Sequence, residues 1–245
     1  MLDAHCHIDL YNDPYDVALE TEQQRIFTLA VTRLPSHYVE ACEHLASFRY
    51  VRPALGFHPL LASEHPDEKA EYARLVDSAK YIGEVGLDFT VRDEGKKRRQ
   101  IETLDYLLSL TCGHDKVFTL HSRWAESQLL DLLIRHDCRK CIFHWYSGSI
   151  KTLHRIIDRG YYFSINHQML NSTNGRKIIQ TLPFDRLLTE TDGPFVRVDG
   201  RQIRPIDIKT TEEELSRLLN ITPLEVARKV RQNLYELLTQ SSNQI

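Results

Sequence analysis

The chain has 245 residues, 42% hydrophobic and 27% charged, which is ordinary globular composition and length enough for one α/β barrel or two smaller domains. A net charge of −3, with histidine neutral, makes no case for a broad basic grip on duplex nucleic acid, although a local basic groove stays open. No run of about 18 apolar residues exists to span a bilayer, and residues 1–25 lack a basic segment followed by an apolar one, so neither membrane association nor a secretory leader is expected.

Short apolar runs then alternate with amphipathic stretches. Strands are predicted at Leu2–His5, Ile26–Val31, Tyr50–Leu55, Tyr81–Val85, Lys116–Leu120, Lys140–Phe143, Tyr161–Ile165 and Arg186–Leu188. Helices are predicted between and after them. Pro35–Phe48 opens with proline near a helix start; Asp67–Ala79, Lys96–Leu110 and Trp124–Ile134 carry apolar residues at helical spacing. Ile150–Asp158 is stopped by Gly160, Asn174–Thr181 precedes Pro183, and Thr211–Leu219 and Pro223–Leu238 close the chain. Eight strand–helix repeats argue for a parallel sheet closed as a TIM (β/α)₈ barrel, one domain over residues 1–245. An open doubly wound sheet usually carries a glycine-rich phosphate loop after its first strand, and none is present. The irregular stretch Gly193–Asp207 would lie over the active face, after strand eight.

Five cysteines, Cys6, Cys42, Cys112, Cys138 and Cys141, form no paired framework. Cys138 and Cys141 make one CxxC without a second, so buried thiols are expected rather than a zinc knuckle or redox pair. A reducing, cytoplasmic setting fits.

The chemistry gathers at the strand ends, where barrel active sites lie. His5 and His7 share one side of an extended segment, with Cys6 turned away, so both imidazoles can converge on one point. His58, Glu84, His121, His144 and Asp192 follow at the ends of strands three, four, five, six and eight. Each alone has a plain explanation: His58 before proline shapes a loop, Glu84 between glycines sits in a turn, and Asp192 favours a turn before Gly-Pro. A whole ring of such residues is a poor fit to chance. The other histidines read as surface groups, except His167 after strand seven, which can approach the site.

The motifs DAHCHID, GFHP, IGEVGLD, HSR, HWYSG and ETDGP, in that order across nearly the whole chain, resemble the TatD family of metal-dependent deoxyribonucleases. The resemblance implies a TIM barrel with two divalent ions. His5, His7, Glu84 and Asp192 would hold one ion and Glu84, His121 and His144 the other, with Glu84 bridging. A two-metal site about 3.5–4 Å across needs such a shared anion. Several positions depart from the family's wording: Trp124 stands where aspartate is frequent, Trp145 precedes the usual aromatic Tyr146, His167-Gln168 replaces small residues, and Arg197–Pro205 is differently worded. The departures point to a divergent subgroup, with the TatD-like component of Qat anti-phage defence systems suggested, and so to antiviral defence with protein partners.

The leading expectation is hydrolysis of DNA phosphodiesters, exonucleolytic, on single strands or at ends. Glu84 and Asp192 are the expected catalytic carboxylates, Asp192 also serving as general base. His58 and Arg123 are candidates for phosphate, and Trp145 and Tyr146 for base stacking. Arg197, Arg201 and Arg204, and the run Lys96-Lys97-Arg98-Arg99, can follow the backbone, although a solvated helix face explains the run at least as well. Histidine-rich ligation favours Zn²⁺ or Mn²⁺, while the resemblance keeps Mg²⁺ open. A metallohydrolase of a small amide or ester, and a non-catalytic barrel subunit of a defence complex, are the competing readings.

Overall fold

Apolar β-formers fill the strand interiors, and histidine, arginine or an acid comes where several of them end. The computed structural model describes residues 1–62, 64–111 and 113–240. In chain order the elements are β1 (Leu2–Cys6), α1 (Pro14–Gln23), β2 (Phe27–Val31), α2 (Pro35–His44), β3 (Val51–Ala54), α3 (Glu68–Leu75), β4 (Tyr81–Asp88), α4 (Glu94–Thr111), β5 (Val117–Arg123) and α5 (Glu126–Arg135). There follow β6 (Lys140–His144), α6 (Ile150–Asp158), β7 (Tyr162–Ile165), the short α7 (His167–Leu170), α8 (Thr173–Thr181), β8 (Leu187–Thr189), the two-residue strands β9 (Arg197–Val198) and β10 (Arg201–Gln202), α9 (Ile208–Leu219) and α10 (Pro223–Thr239).

Helix ends follow local rules. Ser149 caps α6 by accepting from the Thr152 amide, and Thr222 with Glu225 forms a capping box ahead of Pro223 at the start of α10. Four elements escaped the sequence pattern: α1, the short α7, β9 and β10. Helix α1 is led by Pro14 but buries only Val17, Ala18 and Thr21, too sparse a stripe to stand out. The stretch after strand eight, expected to be irregular, contains the antiparallel pair β9–β10.

Parallel ladders run β1-β2-β3 and β4-β5-β6-β7-β8, and the two arcs close into a single (β/α)₈ barrel domain. At one seam, the Leu55 amide donates to the Tyr81 carbonyl and Gly83 back to Leu55, both at 2.9 Å. At the other, Asp192 donates to the His5 carbonyl (2.9 Å) and His7 to Gly193 (2.8 Å). The Asp3 carboxylate, fully buried, reinforces this second seam by accepting from the Thr191 amide at 2.9 Å and its hydroxyl at 2.5 Å. A helical layer packs outside, and in the core the Phe143 ring stacks on Tyr161 and tilts against Phe163.

Cys6 turns away from the barrel axis as expected, into a cluster with Tyr11, Val17 and Phe48. Cys6 and Cys141 are buried free thiols. Cys138 is disulfide-bonded, which corrects the expectation of a thiol at both ends of the CxxC; Cys112 lies outside the described residues. Among the described residues, no helix is long and apolar enough to cross a membrane.

Candidate metal centre

Strand periodicity delivers the side chains. His5 and His7 lie two apart at the end of β1, Glu84 and Asp88 four apart on β4, and Thr119 and His121 two apart on β5, so each set faces the barrel axis. Glycines flank Glu84 because β4 is pressed against its neighbour there. A Cβ at Gly83 would stand 2.2 Å from Thr119 Cγ2, and one at Gly86 would stand 2.0 Å from the His121 carbonyl oxygen.

Glu84 is the hub. Its Oε1 lies 2.6 Å from His121 Nδ1 and 2.9 Å from His144 Nε2. Its Oε2 lies 3.2 Å from His7 Nε2, 3.5 Å from His58 Nε2 and 3.9 Å from His5 Nε2. Asp192 Oδ1 completes the ring, 3.7 Å from His5 Nε2 and 3.8 Å from His7 Nε2. All seven residues, His58 included, converge.

Charges follow from burial against pairing. Burial opposes the Glu84 carboxylate, yet the imidazoles of His58 and His121 and the bonds from His121 and His144 hold it well below its usual range. Burial lifts Asp192 to about 7 against the pull of His144 and His7. Burial depresses His5 strongly, aided by the charge of His144, and brings His58 down to about 4. Burial also opposes charge on His121 and His144, but Glu84 and Asp88 raise the first and Glu190 and Glu84 the second.

The donor set fits divalent cations. His5 Nε2 and Asp192 Oδ1 are buried, face each other and have no hydrogen-bond partner. Three groups of donors lie within 4.8 Å of one another: His5, His7 and Glu84; His5, His144 and Asp192; and His58, Glu84 and His121. The grouping differs from the expected division in two respects. His58 belongs with Glu84 and His121, and His144 also faces His5, their rings stacked at 3.8 Å.

Above the ring opens a cavity of about 620 Å³ whose lining includes Arg33, Arg123, Trp124, Trp145 and Phe195. Arg123 and Trp145 line this cavity, and His58, which also lines it, is more deeply buried. Other expectations are corrected. Tyr146 is buried edge-on against Phe163, its hydroxyl donating to the Ser149 carbonyl at 2.7 Å, and cannot stack a base. His167 Nδ1 is 2.8 Å from Glu214 on α9 and does not line the cavity. Arg201 pairs with Asp207 within its own loop and Arg204 with Glu20 on α1, so both are already engaged by acids. In the basic run, Lys96, Lys97 and Arg98 pair with Glu64, Glu94 and Glu102, as a solvated helix face would.

Residues missed in the sequence support the ring from outside. Asp88 Oδ2 lies 2.8 Å from His121 Nε2, and Thr119 Oγ1 is 2.7 Å from His5 Nδ1. Glu190, fully buried, accepts from Ser164, from Asn166 (2.9 Å) and from the Trp145 amide (3.1 Å), and its Oε1 is 3.7 Å from His144 Nδ1. Period-two alternation from Glu84 and Asp192 would have found Asp88 and Glu190. Arg33 and Phe195 carried no such signal.

A model of the TatD related DNase family matches residues 2–239. The chain is 31% identical over 219 residues to an uncharacterized metal-dependent hydrolase of Escherichia coli, YjjV, covering 83% of each chain. It is 27% identical to the human deoxyribonuclease TATDN3, over 97% of this chain and 94% of that one. The crystal structure of YjjV, a TatD homologue, superposes with a TM-score of 0.87 at 25% identity, covering 98% of each chain.

Proposed function

Because the chain belongs to the TatD-related DNase family of metal-dependent hydrolases, we propose that it removes nucleotides from DNA ends with two divalent ions held by His5, His7, Glu84, His121, His144 and Asp192. The observation that carries this reading is the division of the Glu84 carboxylate. One oxygen faces His121 and His144 and the other faces His7 and His5, the arrangement a carboxylate shared between two cations requires.

Bound divalent ions would supply positive charge for the phosphoryl oxygens and acidify a water molecule. This chain's own groups do the rest. Asp192 Oδ1, buried and without a hydrogen-bond partner, takes the proton of the attacking water. Asp88 and Thr119 hold the His121 and His5 rings in orientation through their second nitrogens. Arg123 at the mouth binds phosphate with its planar fork, and Trp145 meets a base. His58, at 3.5 Å from Glu84, lies where it can reach a phosphate held over the ring. Zn²⁺ or Mn²⁺ suits the histidine-rich donors better than Mg²⁺. A place in anti-phage defence belongs to the same proposal and rests on the sequence departures; a reducing, cytoplasmic setting, read from the cysteines, loses that support in the disulfide-bonded Cys138.

The test is a panel of Zn²⁺, Mn²⁺ and Mg²⁺ against end-labelled single- and double-stranded DNA and RNA, with wild type, His5→Ala and Asp192→Asn. Wild type is expected to shorten DNA from an end, His5→Ala to lose bound metal, and Asp192→Asn to bind DNA without cutting it. Wild-type protein that cuts no nucleic acid with any metal would move a small amide or ester substrate to first place.

A further inference from the structure

The chain has two tryptophans, Trp124 and Trp145, and both line the cavity above the histidine–carboxylate ring. Both hold left-handed backbone, with φ of 58° and 39°. For a bulky side chain that conformation is an outlier, and it persists only where the surrounding structure enforces it. Each follows directly on a strand that ends at the site, β5 for Trp124 and β6 for Trp145, and the left-handed turn sets the indole at the cavity's edge.

Core packing does not account for two of the cavity's aromatics, whereas Trp145 is half-buried and packs partly against the core. Trp124 is 67% exposed, and Phe195, on the same cavity, is 55% exposed. Phe195 is held by its amide's bond to the Asp192 carbonyl at 3.0 Å and stands edge-on to the His7 ring, centroids 5.1 Å apart. The three aromatics come from the loops after β5, β6 and β8, so they bracket the mouth from different sides. Arg33, after β2, and Arg123 complete the lining; among the described residues neither is in a salt bridge. Exposed aromatic faces with free guanidinium groups are the components of a single-strand grip, since every base has a π-face and every nucleotide a phosphate. Within a duplex those faces are covered by stacked neighbours, so an aromatic reaches one only when it is unstacked. The cavity's 620 Å³ lies within the roughly 300–1,000 Å³ of small-ligand pockets, a size for a strand's end rather than for a helix.

We propose that Trp124, Trp145 and Phe195 form a base-stacking clamp that admits an unpaired DNA end to the ring and discriminates against a paired one. Arg123 and Arg33 neutralise the flanking phosphates. The clamp rests on the reading of the protein as a deoxyribonuclease. Trp124, which stands where the motif resemblance expects an aspartate, is its specificity-determining residue: an acid there would repel the strand, and an indole holds it.

Because the protein has no third tryptophan, its intrinsic fluorescence reports on the clamp directly. Metal-loaded protein is titrated with a phosphorothioate-linked oligo-dT, which resists hydrolysis, and with a blunt duplex of the same length carrying the same linkages. Steady-state cleavage of the ordinary oligo-dT is measured in parallel. The single strand is expected to quench the emission and to bind at least tenfold tighter than the duplex. Trp124→Ala and Phe195→Ala are each expected to lose about tenfold in single-strand affinity, the size of effect that alanine substitution of a stacking aromatic produces. KM should rise with kcat little changed, and Trp124→Phe should restore most of the affinity. Both alanine variants binding the single strand like wild type, or wild type preferring the duplex, would overturn the clamp. If wild type cuts oligo-dT while Trp124→Ala keeps its KM, the clamp fails and the deoxyribonuclease reading stands. If wild type is quenched but cuts no DNA, the clamp stands and that reading fails.

Discussion

Two regions of this molecule are dense in charge, and they behave in opposite ways. The run Lys96 to Arg99 at the start of α4 is contiguous in sequence, and three of its four residues pair across exposed surface, mostly with acids a turn away. The ring around Glu84 draws His5, His7, His58, His121, His144 and Asp192 from five other strand ends, and buries nearly all of them. On α4 water screens each charge and little depends on any one. In the ring burial weakens that screening, so each group's state depends on its neighbours. Proximity in sequence is a poor guide to function, and convergence under burial is a good one.

Four substitutions sharpen that contrast. Glu84→Gln should do most, because one residue serves both histidine sets. Metal content by elemental analysis should fall to near background and DNA cleavage should drop by about three orders of magnitude. Retained metal and activity would remove Glu84 as the hub. Glu190→Gln comes next. It takes away the carboxylate beside His144 Nδ1 while keeping the shape that Ser164 and Asn166 hold. Metal affinity, measured by competition with a chelator, should weaken by about 10–100-fold with the fold intact by circular dichroism. Arg123→Ala should raise KM by about tenfold with a smaller change in kcat, and should flatten the salt dependence of binding by about one charge. An unchanged salt slope would mean that Arg123 touches no phosphate. Lys97→Ala, in the other region, should shift unfolding stability by no more than about 0.5 kcal/mol and leave cleavage at the wild-type rate. A large loss of DNA binding there would turn α4 into part of the substrate path and undo the comparison.

The ring was legible in the sequence because strands repeat every two residues and barrels place chemistry at their carboxyl ends. All eight strands and the positions of the ring residues could be read that way. Glu84 even carries its own packing signal, since Gly83 and Gly86 are demanded by the close approach of β5. Helix α1 was not legible, because its buried face is three small or β-branched residues with no periodic stripe. Nor was the fate of the arginines after strand eight, because whether Arg201 reaches substrate or Asp207 depends on how the loop folds back as β9 and β10.

Local sequence by itself determined the alternation of strand and helix and the side of each strand on which the ring's histidines and carboxylates stand. Only the tertiary structure decided which charges are free. It buried Tyr146 and turned His167 to Glu214, while leaving Trp124, Phe195, Arg33 and Arg123 around the cavity. It also closed the barrel by setting the buried Asp3 carboxylate against Thr191, a contact between residues 188 positions apart. The physical reason is the range of the forces. Backbone geometry and periodicity act over a few residues, whereas burial, the pairing of charges and the exposure of an aromatic face depend on which distant segments come to lie beside them.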